Sequence, residues 1–154
     1  MMNRRDAVIR LGAVAGAALR LPRALEAQAK VAIVVYKDPS CGCCSKWVEH
    51  LQANGFMASV KETTDIEPIK EKYQVRTELR SCHTAVVGGY AIEGHVPAAD
   101  IKKLLAAKPK GIVGLTIPGM PPSAPGMDGK PFVAYTVLTF DARGTTAVFA
   151  EHKA

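Results

Sequence analysis

The chain has 154 residues and a formal net charge of +6 at neutral pH, and 48% of its residues are hydrophobic. This length suits one compact domain. Its charges are mixed in sign along the chain, and no basic stripe is interleaved with aromatic residues, so nucleic acid is not the expected partner.

The N-terminal segment has the pattern of a secretory signal peptide. A basic stretch contains Arg4, Arg5 and Arg10, and it is followed by an uncharged apolar run over residues 11–19. An A-x-A cleavage pattern then ends at Ala29. Nine residues of helix rise only about 14 Å, which is too short for a bilayer core of roughly 30 Å. A membrane anchor is therefore not expected.

We predict a signal peptide over residues 1–29 and an exported domain over residues 30–154, with no membrane insertion after cleavage. Arg4 and Arg5 resemble the pair of a twin-arginine signal, although Ala7 stands where Phe is usual. The general secretory route is the alternative.

Apolar runs and turn signals predict the element order β-α-β-α-β-β-α, followed by a loop and a hairpin. The predicted strands cover residues 31–36, 56–62, 84–87, 90–93, 132–140 and 145–150, and the predicted helices cover residues 44–54, 64–73 and 97–107. Gly88-Gly89 marks a hairpin turn, and Thr64 with Glu67 forms a candidate capping box. Residues 109–131 are rich in Pro and Gly and are not expected to be regular throughout.

A strand that leads into Cys-x-x-Cys at a helix start, followed later by β-β-α, is the thioredoxin arrangement. We therefore predict an α/β, thioredoxin-like fold with a Pro/Gly/Met-rich loop and an additional C-terminal β-hairpin.

Three of the four cysteines lie within four residues, namely Cys41, Cys43 and Cys44. Disulfides among them would close almost no loop and would add little stability. Cys41 and Cys44 form Cys-x-x-Cys at a helix N-terminus, where the dipole favours the thiolate. A thiolate serves both disulfide exchange and metal ligation, but a third adjacent thiol such as Cys43 invites the wrong disulfide and favours metal binding.

Cys82 is the long-range member of the set. In the thioredoxin arrangement the loop before the third strand faces the Cys-x-x-Cys and usually holds a cis-proline, whereas residues 81–84 (SCHT) contain none. This difference argues against ordinary thiol-disulfide exchange and for a fourth sulfur ligand. Four thiolates would bind Cu(I) in a bridged cluster or Zn(II) in a tetrahedron, and an exported location with soft ligands favours copper.

Other residues are candidate ligands with simpler alternatives. Met120 and Met127 occur in similar Pro-Gly-Met settings, where they either fill gaps under a loop or supply thioethers to Cu(I). His83 adjoins the fourth cysteine and either ligates the metal or takes a supporting or surface position. His95 is expected to be exposed, and Trp47 is expected in the core.

The strings YKDPSCGCCSKW, LRSCHTAVVGGYAIEGHVP and GLTIPGMPPSAPGM resemble the CopG-like copper-resistance family, long catalogued as a domain of unknown function. The similarity covers about residues 31–152. It implies a thioredoxin-like periplasmic protein of copper resistance or homeostasis, with copper efflux or chaperone proteins as partners. By position it implies that a multinuclear Cu(I)–thiolate cluster is bound by Cys41, Cys43, Cys44 and Cys82.

An enzyme is the alternative to a binding protein. It would be a thiol-disulfide or copper oxidoreductase, with Cys41 and Cys44 as its catalytic pair.

Overall fold

The computed structural model describes residues 30–154, so the predicted signal peptide over residues 1–29 and its cleavage site lie outside the described residues. The strands are β1 (Val31–Lys37), β2 (Phe56–Glu62), β3 (Thr84–Val87), β4 (Tyr90–Glu93), β5 (Gly114–Thr116), β6 (Tyr135–Phe140) and β7 (Thr146–His152). The α-helices are α1 (Gly42–Ala53), α2 (Glu67–Lys72) and α3 (Ala98–Ala107), and Thr77–Leu79 forms a short 3-10 helix.

The strands form one mixed sheet in the order β2-β1-β3-β4-β5-β6-β7. β1 pairs in parallel with β2, and β4 pairs in parallel with β5, whereas the other neighbours are antiparallel. The fold is therefore mixed α/β, as the sequence predicted. β2 and β7 are the two edge strands.

Two hairpins agree with the expected pattern. β3 and β4 are joined at Gly88 and Gly89, whose φ angles of 56° and 86° suit a tight turn with both central residues in the left-handed region. β6 and β7 pair antiparallel at the C-terminus, with a register irregularity between Val137 and Leu138.

The start of α2 differs from the prediction. The helix begins at Glu67 with Ile66 at its N-cap, whose side chain makes no capping hydrogen bond, and the Glu67 N–H donates to Asp65 Oδ1 at 3.3 Å. Thr64 does not cap the helix, because the chain first makes a turn in which the Asp65 N–H donates to Thr63 Oγ1 at 3.1 Å. The predicted capping box is therefore wrong.

β5 lies inside the Pro/Gly-rich segment and was not predicted. Its first residue, Gly114, packs so closely on β4 that a Cβ there would lie 1.8 Å from the Ala91 carbonyl oxygen. Only a residue without a side chain permits this pairing, so the glycine that suggested irregular structure is what allows the strand.

The main hydrophobic core packs the helices against the sheet. Trp47 is fully buried within it, as expected, and its indole N–H donates to the Val96 carbonyl oxygen at 2.9 Å. Other core residues include Ile33, Val35, Leu51, Ile92, Ile101, Leu104 and Leu115. Within residues 30–154, no helix combines the length and apolar character that a membrane crossing requires.

The sheet register brings two distant segments to one end of the domain. β1 runs antiparallel to β3, with Tyr36 opposite Thr84. The end of β1 leads into α1, and the residues just before Thr84 lead into β3. The start of α1 and residues 81–83 therefore meet at the same end of the sheet.

Candidate metal site

The four cysteines converge at this end of the sheet. Cys41 is the N-cap residue of α1, Cys43 and Cys44 lie in its first turn, and Cys82 precedes β3. Their Sγ atoms all lie within 4.8 Å of one another. The fold therefore places Cys82 beside the other three, and their role as metal ligands stays a prediction.

The sulfurs are present in two chemical states. Cys41 and Cys44 form a disulfide, whereas Cys43 and Cys82 are free thiols. Cys43 Sγ lies 3.6 Å from Cys41 Sγ, and Cys44 is fully buried while the other three cysteines are partly exposed. Only the reduced form of the pair offers four thiolates, so metal binding by all four sulfurs requires prior reduction.

We call Cys41, Cys43 and Cys44 the helix wall of the site. They lie where unpaired backbone N–H groups and the helix dipole stabilise negative charge. No acidic residue lies in the first turn of α1 to oppose this effect. The helix wall thus favours thiolates once the disulfide is reduced.

We call Cys82, His83 and His95 the strand wall of the site. Burial, and to a smaller extent the neighbouring Cys43, together raise the pKa of the Cys82 thiol to about 11. Cys82 is therefore protonated in the metal-free protein at neutral pH. A metal ion that binds its sulfur must displace this proton.

His95 contacts Cys82 directly. Its side chain is 1% exposed, so the prediction of an exposed histidine is wrong. His95 Nδ1 donates to the Pro125 carbonyl oxygen at 2.7 Å, and Nε2 lies 3.1 Å from Cys82 Sγ. Since a carbonyl only accepts hydrogen bonds, Nε2 carries the lone pair and accepts from the Cys82 thiol.

The contact between His95 and Cys82 follows from hairpin geometry. β3 and β4 pair with Thr84 opposite Glu93, and extending this register by two residues places Cys82 opposite His95. The Gly88-Gly89 turn was visible in the sequence, so its register could have indicated this contact. The missed signal was the pairing of the residues just beyond the strand ends.

His83 is also inside the protein. Its Nδ1 lies 3.3 Å from Cys82 Sγ, and its ring lies 4.3 Å from that of Trp47. Its buried Nε2 has no hydrogen-bond partner within the described part of the chain. Burial lowers the pKa of His83 well below its usual value and also lowers that of His95, so both imidazoles are neutral, the form that binds metals.

The β5–β6 loop, residues 117–134, lies against both walls. Gly119 accepts a hydrogen bond through its carbonyl oxygen from Ser81 Oγ at 2.7 Å. Gly126 packs on α1 so closely that a Cβ would lie 2.8 Å from the Trp47 nitrogen. Met120 is 49% exposed, and Met127 packs against the core. Each candidate methionine thus follows a glycine that contacts one of the two segments that carry the cysteines, residues 81–83 or α1.

The side chains at this site offer two overlapping sets of donors. The first is the four sulfurs, and the second combines Cys44, Cys82, His83 and His95, whose donor atoms also lie within 4.8 Å of one another. Soft thiolates suit Cu(I), and imidazole suits several transition metals. The arrangement can hold metal ions, and its Cys41–Cys44 disulfide can exchange electrons.

Comparisons with known proteins agree with a copper-related site. A family profile described as a protein of unknown function, DUF411, matches residues 79–127. The solved structure of copper resistance protein copG in form 2 is 42% identical with a TM-score of 0.75, and the match covers 80% of this chain and 99% of that one. Form 1 is 41% identical with a TM-score of 0.75, covering 81% and 99%. None of the curated proteins compared with this chain matches it.

Proposed function

Because this chain belongs to the CopG copper resistance family, we propose that it is a periplasmic protein of copper resistance that binds several Cu(I) ions. The proposed ligands are Cys41, Cys43, Cys44 and Cys82. The observation that carries the proposal is the approach of all four Sγ atoms to within 4.8 Å of one another. Thiolates bridge Cu(I) ions, so four sulfurs at this spacing can share more than one ion.

Loading would begin with reduction of the disulfide. A dithiol partner would give two electrons and two protons to Cys41 and Cys44, and its own thiols would become a disulfide. Each Cu(I) that binds then displaces thiol protons, and the helix dipole offsets part of the resulting negative charge. Nitrogen donors from His83 and thioethers from Met120 and Met127 are the proposed additional ligands.

We propose that residues 30–154 form the exported copper-binding domain and that its fold is thioredoxin-like. The strand order β2-β1-β3-β4, with β1 and β2 parallel, supports this fold. So does a disulfide between Cys41 and Cys44 at the start of the first helix. Copper efflux or chaperone proteins are the proposed partners.

Anaerobic titration of the reduced full chain with Cu(I) tests the function. We expect more than one copper per chain, and fewer for Cys82→Ser and for Cys43→Ser. Gln52→Ala, an exposed change on α1 away from its first turn, serves as the control and is expected to bind as the parent does. One copper per chain, unchanged in both cysteine variants, would contradict the proposal, and preference for Zn(II) in competition would indicate a zinc module instead.

A second candidate function is favoured by the Cys41–Cys44 disulfide. In this reading two Cu(II) ions accept one electron each from the reduced pair, which forms the disulfide and releases two protons. A dithiol partner then restores the pair. Turnover with Cys41 and Cys44 intact, and with Cys43 and Cys82 both changed to Ser, would favour this enzyme over a storage protein.

A further inference from the structure

A buried ion pair lies beneath the loop that carries Cys82. Lys70 on α2 and Glu93 at the end of β4 are 2% and 0% exposed. Lys70 Nζ lies 2.5 Å from Glu93 Oε1. Burying two charges is costly, and well-packed apolar residues of similar volume are often as stable or more so. The pair therefore needs an explanation other than stability.

Both charged groups bind the residues that flank Cys82. The Ser81 N–H donates to Glu93 Oε1 at 2.6 Å, and Lys70 Nζ donates to the Ser81 carbonyl oxygen at 3.1 Å. On the other side, Thr84 Oγ1 donates to Glu93 Oε2 at 2.6 Å and accepts from Lys70 Nζ at 3.2 Å. With its bond to Glu93, the ammonium group uses all three of its donors on this network.

The backbone of the same loop has few other restraints. Residues 81–84 contain no proline, so no ring fixes the backbone there. Gly94 lets Ser81 approach β4, because a Cβ at Gly94 would lie 2.7 Å from Ser81 Oγ. The Gly94 N–H also donates to the His83 carbonyl oxygen at 3.0 Å. The loop backbone is thus held through Lys70, Glu93 and the end of β4, while the side chains of Ser81 and His83 add contacts with Gly119 and Trp47.

We propose that Lys70 and Glu93 are positioning residues that hold Cys82 against the helix wall before any metal arrives. This inference rests on the proposed function, since Cys82 is one of its four ligands. A ligand that is already in place loses little conformational freedom when the metal binds. The charged pair thus contributes to copper affinity without touching copper.

The test replaces both charges together. Lys70→Met with Glu93→Met leaves no unpaired buried charge, but it removes hydrogen-bond partners of Ser81 and Thr84. The metal-free full chain is therefore expected to remain folded, with a lower midpoint of unfolding than the parent. We expect faster hydrogen exchange at the Ser81 N–H and a Cu(I) affinity, from chelator competition, about 10- to 100-fold weaker. The control, Lys153→Met with Glu151→Gln, removes an exposed ion pair at the end of β7. It is expected to change neither the Ser81 exchange rate nor the Cu(I) affinity.

A double-mutant cycle separates positioning from a general structural role. If the pair acts through Cys82, adding Lys70→Met and Glu93→Met to Cys82→Ser costs no further affinity. The reduction potential of the Cys41–Cys44 pair is expected to stay unchanged. Losses that simply add, or parent-like affinity in the folded double variant, would overturn the inference.

Thr84→Val covers the case in which the double variant does not fold. It removes one hydroxyl from the network and leaves the two charges paired. We expect a smaller loss of affinity and faster Ser81 exchange, and no change in either would overturn the inference. Exchange is measured without metal, so it remains decisive even if the parent binds no copper and the proposed function fails.

Discussion

The two walls of the site are built by different means. The helix wall takes its geometry from one turn of α1, because its three cysteines fall within four consecutive residues. The strand wall is assembled from the ends of β3 and β4 and is closed by the β5–β6 loop through the contact of His95 with Pro125. Local helix geometry therefore sets one wall, and tertiary packing sets the other.

This difference indicates where the site is sensitive to substitution. A change on the exposed face of α1 leaves the first turn and its sulfurs in place. A change at Lys70, far along the chain, is expected to alter the strand wall and to leave the helix wall intact. Substitutions that affect one wall without the other test this separation directly.

The largest expected effect comes from the residue that joins the walls. Trp47 lies on α1 and packs against the His83 ring. Trp47→Ala removes a fully buried side chain and is expected to cost about 3–5 kcal/mol in the free energy of unfolding, because a large cavity remains. Denaturant unfolding of the metal-free protein measures this cost. Trp47→Phe is the control and is expected to cost clearly less.

The second largest effect concerns the reactivity of the two free thiols. Since the pKa of Cys82 rises from its ordinary value of 9.0 to about 11, roughly a hundredfold less thiolate is present near neutral pH than for an ordinary thiol. In the disulfide form, iodoacetamide is expected to label Cys43 well before Cys82, as followed by mass spectrometry. The same labelling in urea is the control, and equal labelling rates of Cys43 and Cys82 in the folded protein would contradict the raised pKa of Cys82.

A third prediction compares two glycines of the β5–β6 loop. Gly126 and Gly119 have φ angles of 83° and 74°, so alanine is strained at both. Only at Gly126 would a Cβ meet backbone, 2.8 Å from the Trp47 nitrogen and 3.0 Å from the Cys43 carbonyl oxygen. We expect Gly126→Ala to cost about 1–3 kcal/mol more than Gly119→Ala in unfolding free energy. Equal losses of unfolding free energy in the two variants would show that the loop is not closely packed against α1 at Gly126.

The smallest effect is a pH dependence at the far end of α1. Burial lowers the pKa of His50, whose Nε2 accepts a hydrogen bond from the Ala98 N–H at 3.1 Å. The unfolded state therefore binds more protons below about pH 6.5, and this contribution to stability is lost as pH falls. His50→Gln is expected to remove part of the decline in Tm between pH 6.5 and 5. A parallel decline in both proteins would contradict the assignment.

Much of the helix wall could be predicted from the sequence, because its determinants are local. The apolar run at residues 31–36 predicted a strand, a helix was predicted over residues 44–54, and Trp47 was expected in the core. The structure confirms all three, as β1, α1 and a fully buried Trp47. The β3–β4 hairpin was predicted for a similar reason, since Gly88-Gly89 marks its turn.

The strand wall could be predicted only in part. Fold analogy placed Cys82 beside the other cysteines, but His95 was expected at the surface. That expectation was wrong because the burial of His95 depends on a loop that folds back from about 30 residues later in the chain. Lys70 and Glu93 gave no signal, since isolated charges in a sequence are mostly exposed. The periodicity of apolar residues indicates which face of a helix or strand is buried. It does not indicate which charged residues, such as Lys70 and Glu93, will form an ion pair in the interior.

The register irregularity between Val137 and Leu138 also bears on self-association. β7 is an edge strand with Val148 63% exposed, and such an edge offers unpaired backbone groups to another copy of the chain. A bulge increases the local twist of a β-ribbon, so two such edges do not align into a straight ladder. The irregularity thus disfavours edge-to-edge pairing through β7, and on the opposite edge, β2, Lys61 and Glu62 are exposed charges of the kind that disfavours such pairing.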